Sequence, residues 1–250
     1  MEIFDIYNVQ LPTLDQFVIF FPISFCLVGL IFLIAGLLKR KFNLKTNYTR
    51  KIIHFSLFTM GWLIGAIAGF PALVIYGASI APFGLLIVFS GDGNFLYESV
   101  ARPEDAPHRT IYLIVPYIAS VLGAFLSKLF VGDFFYIGIL VTGIGDAIAE
   151  PIGVKFGKHK YSVPAITKLK AKRSIEGSLS VFMIGFLVSL IFFVIRGIGI
   201  LPLWIFVSII VGLVSSFVEA ISPHGLDNFT IQISASCLSA YLLYATLIFF

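Results

Sequence analysis

The sequence predicts an all-α polytopic membrane fold of about eight transmembrane helices, with its polar site on the cytoplasmic side. Three observations lead there. Hydrophobic residues make up 59% of the 250 and charged residues only 12%, with a mean hydropathy of +1.02. That is more apolar than a water-soluble domain can be. Apolar stretches of about 20 residues, the length that spans a bilayer as a helix, recur between charges and Pro or Gly clusters. Lastly, the basic residues are gathered into three segments rather than spread along the chain.

Phe17–Leu38 is the clearest span. The leader before it carries Glu2, Asp5 and Asp15 instead of a basic region, so this run reads as retained rather than as a cleaved signal. Ile52–Phe70 and Ala72–Ser90 follow, with Ile64–Phe70 and Pro71 marking a hairpin between them. Thr110–Val131 and Phe134–Val154 are divided by Gly132-Asp133. Gly177–Arg196 and Leu201–Glu219 are divided by Gly197–Gly199, and Phe229–Phe250 closes the chain. Of 17 Lys and Arg residues, six lie in Lys39–Lys51, two in Gly91–Arg109 and seven in Lys155–Arg173, which leaves only Lys128 and Arg196 elsewhere. An eight-span path with both termini outside places all three segments on one side, and the positive-inside rule makes that side cytoplasmic.

The net charge of +4 follows from this asymmetry. It suits anionic headgroups or phosphates and gives no case for nucleic acid. Cys26 and Cys237 lie inside spans without metal-like spacing, so both are assigned to packing. No repeat and no polar tract long enough for a soluble domain interrupts the pattern, and residues 1–250 read as a single integral-membrane domain.

Ionisable residues near or within spans are the informative ones, because a charge in hydrocarbon is costly and is kept for a partner or a reaction. In Arg50-Lys51-Ile52-Ile53-His54, Arg50 and His54 share a helix face as the chain enters the second span. The plain alternative for Arg50 and Lys51 is a basic anchor that snorkels to headgroups, and for His54 a satisfied buried histidine. Asp146 and Glu150 stand one turn apart in the span Phe134–Val154, among Gly and Ala. Two such carboxylates suit a hard divalent cation such as Mg²⁺, which takes one or two protein carboxylates and completes its shell with water and phosphate oxygens. The alternative is an ion pair with Arg or Lys of another span. Gly153 to Lys158 superficially suggests a P-loop, but the glycine spacing is short and His159 follows the Lys, so it is rejected.

The third cluster runs from Lys168 to Ser178 and closes a basic loop. Lys and Arg are natural partners of phosphate oxygens, and a helix starting near Ser174 would present N–H groups and a positive dipole end. Lys168, Lys170 and Lys172 read as ordinary positive-inside charge, whereas Arg173, Ser174, Glu176 and Ser178 crowd a membrane entrance. The fourth cluster is Glu219–Asn228. Pro223 and Gly225 serve the turn, while Glu219, Asp227 and Asn228 offer oxygen ligands on the side where Asp146 should emerge. The polar segment Ser90–Arg109 reads as an ordinary solvated connection.

Taken in order, Gly-Asp146-Ala-Ile-Ala-Glu150-Pro-Ile-Gly, Phe156-Gly157-Lys158, Lys172-Arg173-Ser174-Ile175-Glu176-Gly177-Ser178, Glu219 and Asp227-Asn228 resemble the phytol, farnesol and dolichol kinase family. Arg50-Lys51 and His54 resemble that family's early Arg-Lys-x-x-His element. The matches cover about residues 50 to 230. The resemblance implies an all-helical membrane kinase, a divalent metal, and CTP as the usual phosphoryl donor to an isoprenoid alcohol or other membrane lipid, with ATP also possible. It carries a nucleotide and metal role onto Asp146, phosphate contact onto Lys158 and Arg173, and site roles onto Glu176, Ser178, Glu219, Asp227 and Asn228.

The expected mechanism has Asp146, with Asp227 or Glu150, holding Mg²⁺ on the nucleotide phosphates, with Glu219 a further metal-ligand candidate. Arg173 and Lys158 would steady the transferring group, with Ser174, Glu176, Ser178 and Asn228 around the nucleotide. A carboxylate or His54 would accept the hydroxyl proton. Related CTP:phosphatidate cytidylyltransferases share part of the pattern and keep a cytidylyltransferase reading open. A secondary transporter would place its charges near the midplane and show an inverted repeat, and a scaffold without chemistry would leave four one-sided polar clusters without a purpose.

Overall fold

The computed structural model describes residues 9–167 and 170–249; Glu2, Asp5, Lys168 and Phe250 lie outside them. Within these residues the chain is all-α apart from one two-stranded ribbon. It forms two compact units, Val9–Val115 and Pro116–Phe250. Six helical stretches are long and apolar enough to cross a membrane: Leu14–Phe42, Thr46–Ser90, Ile111–Phe156, Ile175–Arg196, Leu201–Ile221 and Asp227–Leu247.

In the first unit, α1 (Leu14–Phe42) starts where Thr13 and Gln16 form a reciprocal capping box, and it ends at Asn43 in the left-handed region with φ 51°. Such a box satisfies two N–H groups that a helix start would otherwise leave bare. Helix α2 (Thr46–Ser90) is broken at Gly69, whose φ of 85° and ψ of 173° lie outside helical space. Its two halves fold back on each other: a Cβ on Gly61 would sit 3.3 Å from Leu73 and 3.4 Å from Tyr76. In an unbroken helix those residues would be roughly 18–22 Å away. Gly69 supplies the positive φ and Pro71 restarts the helix. Val28, Ile31, Phe32 and Ala35 of α1 pack with Ile53, Tyr76 and Ile87 of α2 and with Tyr97 and Val100 of the short α3 (Phe95–Val100).

In the second unit, α4 (Ile111–Val131) gives way at Gly132, with φ 56°, to α5 (Phe135–Leu140). A π-helical turn over Val141–Asp146 follows, then α6 (Ala147–Phe156). The ribbon comes next: β1 (Lys160–Pro164) pairs antiparallel with β2 (Lys170–Ser174). This corrects the reading of Lys155–Arg173 as a plain basic loop. Helices α7 (Ile175–Arg196), α8 (Leu201–Ile221) and α9 (Asp227–Phe249) complete the unit. Their core joins Val141, Phe193, Val207, Val211, Ile231 and Leu243. Helices α7 and α8 cross at two glycines, where a Cβ on Gly185 would lie 3.0 Å from Gly212 Cα, and one on Gly212 would lie 2.7 Å from the Phe182 carbonyl oxygen. Small residues at a crossing let backbones touch, which matters in lipid because burial of apolar surface no longer drives helix association.

Cys237 joins the edge of this core, but Cys26 lies on an exposed face of α1 and so departs from the packing role expected of it. Lys128 and Arg196, the two basic residues outside the three basic segments, share Asp133 at 2.9 and 2.6 Å.

Candidate functional site

The second unit brings Arg173, Ser178, Glu219, Asp227 and Asn228 together. Arg173 reaches its place because β2 pairs in register with β1, with Tyr161 directly opposite it. Cross-strand partners present their side chains on the same face of a ribbon. Arg173 Nε then meets Glu219 Oε1 at 3.2 Å, and Nη2 meets Asp227 Oδ2 at 2.8 Å. Ser178 Oγ donates to Glu219 Oε2 at 2.7 Å, and the Asn228 backbone N–H donates to Asp227 Oδ1 at 3.1 Å. All four carboxylate oxygens are therefore engaged. Arg173 Nη1 is buried and, among the described residues, has no hydrogen-bond partner.

That arrangement is costly unless something completes it. Glu219 and Asp227 are 4% and 7% exposed, and a buried guanidinium N–H left unbonded costs about 1–3 kcal/mol. The Arg173 guanidinium is thus fixed on two edges with its third nitrogen available to an acceptor, the geometry that suits an anionic oxygen.

Asp146 lies close enough for its charge to act on Glu219. It ends the π-helical turn, and Glu150 follows one turn later in α6. Such turns are uncommon and often mark functional positions. In their ordinary charge states Asp146, Glu219, Asp227 and Arg173 sum to −2, an excess that favours a cation. Among the described residues no group of three or more His, Cys, Asp or Glu side chains forms a metal cage. Asp146 and Glu150 are the carboxylates that the sequence pairs for Mg²⁺, and two suffice when phosphate supplies other ligands.

The rest of the third cluster organises the chain around α7. Ser174 Oγ caps the helix by accepting from Gly177 N–H at 3.1 Å. Gly157 and Gly153 leave room for that hydroxyl, since a Cβ on either would come within 2.9 Å of it. The Glu176 carboxylate accepts from the backbone N–H of Lys158 at 3.1 Å and faces His159 Nδ1 at 2.9 Å, holding the turn between α6 and β1. Lys158 itself is exposed. Asn228 Nδ2 donates to Ser120 Oγ at 2.8 Å and to the Pro116 carbonyl at 3.3 Å, tying α9 to α4. A groove of about 350 Å³ runs beside α6 and α7, lined by Ile148, Ile152, Leu179, Met183 and Ile184, with Glu176 and Ser180 as its polar members.

Arg50, Lys51 and His54 belong to the first unit, on α2. Lys51 is 7% exposed, deeper than a snorkelling anchor sits, and the His54 ring packs on Phe58 with centroids 4.5 Å apart. In the same unit the segment Ser90–Arg109 departs from the solvated connection expected of it. Arg109 Nη2 donates to Glu98 Oε2 at 2.8 Å and Nη1 also meets Asp92. Arg102 pairs with Asp105 at 2.9 Å, and Tyr97, Ser99 and Asp105 are buried.

Sequence reasoning passed over Tyr161. Its hydroxyl lies 2.6 Å from Ser178 Oγ, and burial raises the phenol above its usual range, so it keeps its hydrogen. The available signal was the β-prone Tyr-Ser-Val run inside a basic tract. Ser216, whose Oγ donates to the Ser178 carbonyl at 2.7 Å, carried no signal beyond being a small residue in an apolar span.

A protein named phytol kinase from Synechocystis sp. (strain ATCC 27184 / PCC 6803 / Kazusa) is 30% identical over 222 residues, covering 85% of this chain and 86% of that protein. No family model and no solved structure matches the chain.

Proposed function

Since the chain belongs to the phytol kinase family, we propose that it transfers the γ-phosphoryl group of a nucleoside triphosphate to the hydroxyl of an isoprenoid alcohol at the membrane surface. CTP is the proposed donor and ATP the alternative. The observation that carries this reading is the Arg173 guanidinium, held by Glu219 and Asp227 with a buried Nη1 left over.

Phosphoryl transfer asks the protein mainly to align donor and acceptor and to neutralise charge on the group in flight. In this reading Arg173 Nη1 donates to a phosphate oxygen, and Lys158 adds charge from the neighbouring turn. Asp146 and Glu150 would hold Mg²⁺, which neutralises phosphate charge when bound. The groove beside α6 and α7 has the apolar lining that a branched hydrocarbon tail needs and a volume within the range of small-ligand sites. The acceptor hydroxyl's proton goes to a carboxylate of this cluster. The roles of His54, Arg50 and Lys51 rest on the resemblance of their element to that of the family.

The same reading takes the chain as one integral-membrane kinase domain with eight passes and a cytoplasmic-facing site. The hairpin at Gly69 and the break at Gly132 support it, because each divides a long helical stretch into two of spanning length. Single cysteines at Lys158 and Asp133 in sealed vesicles should react with an impermeant maleimide from opposite sides; equal reactivity from one side would refute the topology.

The direct test supplies purified protein with Mg²⁺, CTP or ATP labelled at the α or γ position, and phytol, farnesol, geranylgeraniol, dolichol or diacylglycerol. Lipid-extractable γ-label on an alcohol is the expected result. Entry of α-label only when a lipid phosphate is present would replace the kinase with a cytidylyltransferase.

A further inference from the structure

We propose that Tyr161 is a positioning residue for the nucleotide site, acting through Ser178 and Glu219 to set the orientation of Arg173. This rests on the reading of Arg173 as a phosphate ligand and names a residue that neither the sequence motifs nor the resemblance assigns.

The direction of each hydrogen bond fixes the argument. Glu219 faces the Arg173 guanidinium at 3.2 Å, so its carboxylate is an acceptor, and Ser178 must spend its single hydroxyl hydrogen on Glu219 Oε2 at 2.7 Å. Ser178 Oγ can then only accept from Tyr161, whose hydroxyl lies at 2.6 Å. The chain therefore runs one way, from Tyr161 to Ser178 to Glu219 to Arg173.

Each link removes a freedom. A serine hydroxyl rotates to suit its neighbours, and the Tyr161 donor selects the rotation that aims Ser178 at Oε2. That bond fixes the plane of the Glu219 carboxylate, which in turn directs Oε1 at Arg173 Nε. With Asp227 on Nη2, the third nitrogen has one direction left. Tyr161 and Arg173 are also register partners in the ribbon, so the strand pairing that delivers the arginine delivers its aligning residue with it.

Tyr161→Phe keeps the ring and removes only the donor. Losing one hydrogen bond of about 1 kcal/mol corresponds to roughly fivefold in an equilibrium constant. We expect the affinity for a non-hydrolysable CTP or ATP analogue, measured by calorimetry on the full chain in nanodiscs, to fall by about that factor, with the nucleotide KM rising in parallel. The KM for the alcohol should stay close to the wild type, and the thermal midpoint should fall by only about 2–4 °C. Because both residues act along one chain, Tyr161→Phe combined with Ser178→Ala should bind nucleotide no more weakly than Ser178→Ala alone. Unchanged nucleotide affinity in Tyr161→Phe, or effects that multiply in the double variant, would overturn the assignment while leaving the kinase reading intact. Wild-type protein that binds neither nucleotide would instead overturn the kinase reading on which the assignment stands.

Discussion

Two arginines, one in each unit, sit among carboxylates and differ in how fully their donors are used. Arg109 has every nitrogen engaged: Nε with the Arg102 carbonyl at 3.2 Å, Nη1 with Glu98 at 3.2 Å and with Asp92, and Nη2 with Glu98 at 2.8 Å and the Ala101 carbonyl. Its guanidinium also lies 5.0 Å from the centre of the Tyr97 ring. Arg173 has two nitrogens engaged and a third buried without a partner among the described residues. A saturated guanidinium closes a loop; an unsaturated one, already stripped of water, is prepared for a ligand. Residue type and neighbouring charge do not separate the two; the burial of the partner carboxylates and the count of unused donors do.

The largest effect should come from Arg173→Ala. It removes the phosphate donor and leaves Glu219 and Asp227 buried without their cation. We expect transfer activity to fall by at least about a hundredfold and stability to drop by about 3–5 kcal/mol; a variant with full activity would remove the distinction between the two arginines. Asp146→Asn should cost on the order of a hundredfold in activity while the protein stays folded and inserted, read by activity against size-exclusion profile and thermal midpoint. Undiminished transfer would dismiss Asp146 as a metal ligand.

Arg109→Gln should lower stability by about 1–3 kcal/mol without the loss of transfer expected of Arg173→Ala, and with the nucleotide KM unchanged. A selective loss of nucleotide affinity would make Arg109 a ligand residue as well.

The smallest effect is a pH dependence. The hydrogen bond from Arg109, with a smaller contribution from the Gly93 N–H, holds Glu98 below the usual carboxylate range against the opposing effect of burial. The carboxylate therefore binds its proton less readily when folded than when unfolded. Its contribution is fully present above the ordinary carboxylate pKa and is lost as pH falls through the folded value. Thermal midpoints of the wild type should decline across that acidic window more than those of Glu98→Gln, and parallel curves would remove Glu98 from the account.

The apolar helical stretches were readable because hydropathy and helix length are local properties, the break near Gly69 because Pro71 interrupts the run, and the one at Gly132 because Gly followed by Asp announces a turn. The residue types of the candidate site were readable too, since charge at a membrane boundary is rare. Their pairing was not. Arg173 meets Glu219 and Asp227 across three elements, which no spacing rule connects. The ribbon was hidden for a different reason: lysines in Lys170–Ser174 satisfy the positive-inside pattern and mask the alternation of a strand. Ser90–Arg109 was misread because polar, Gly-containing sequence looks alike whether it is solvated or folded onto an arginine.

The crossing of α7 and α8 at Gly185 and Gly212 bears on how this protein could be engineered. Replacing helix glycines with alanine is a routine way to stiffen a protein, because it reduces the freedom of the unfolded chain. Here the added methyl would act as a wedge between two helices, about two turns from where Ser178 on one meets Glu219 on the other. Those two glycines set the gauge of the site from a distance, and a thermostability library that treats them as idle positions would widen it.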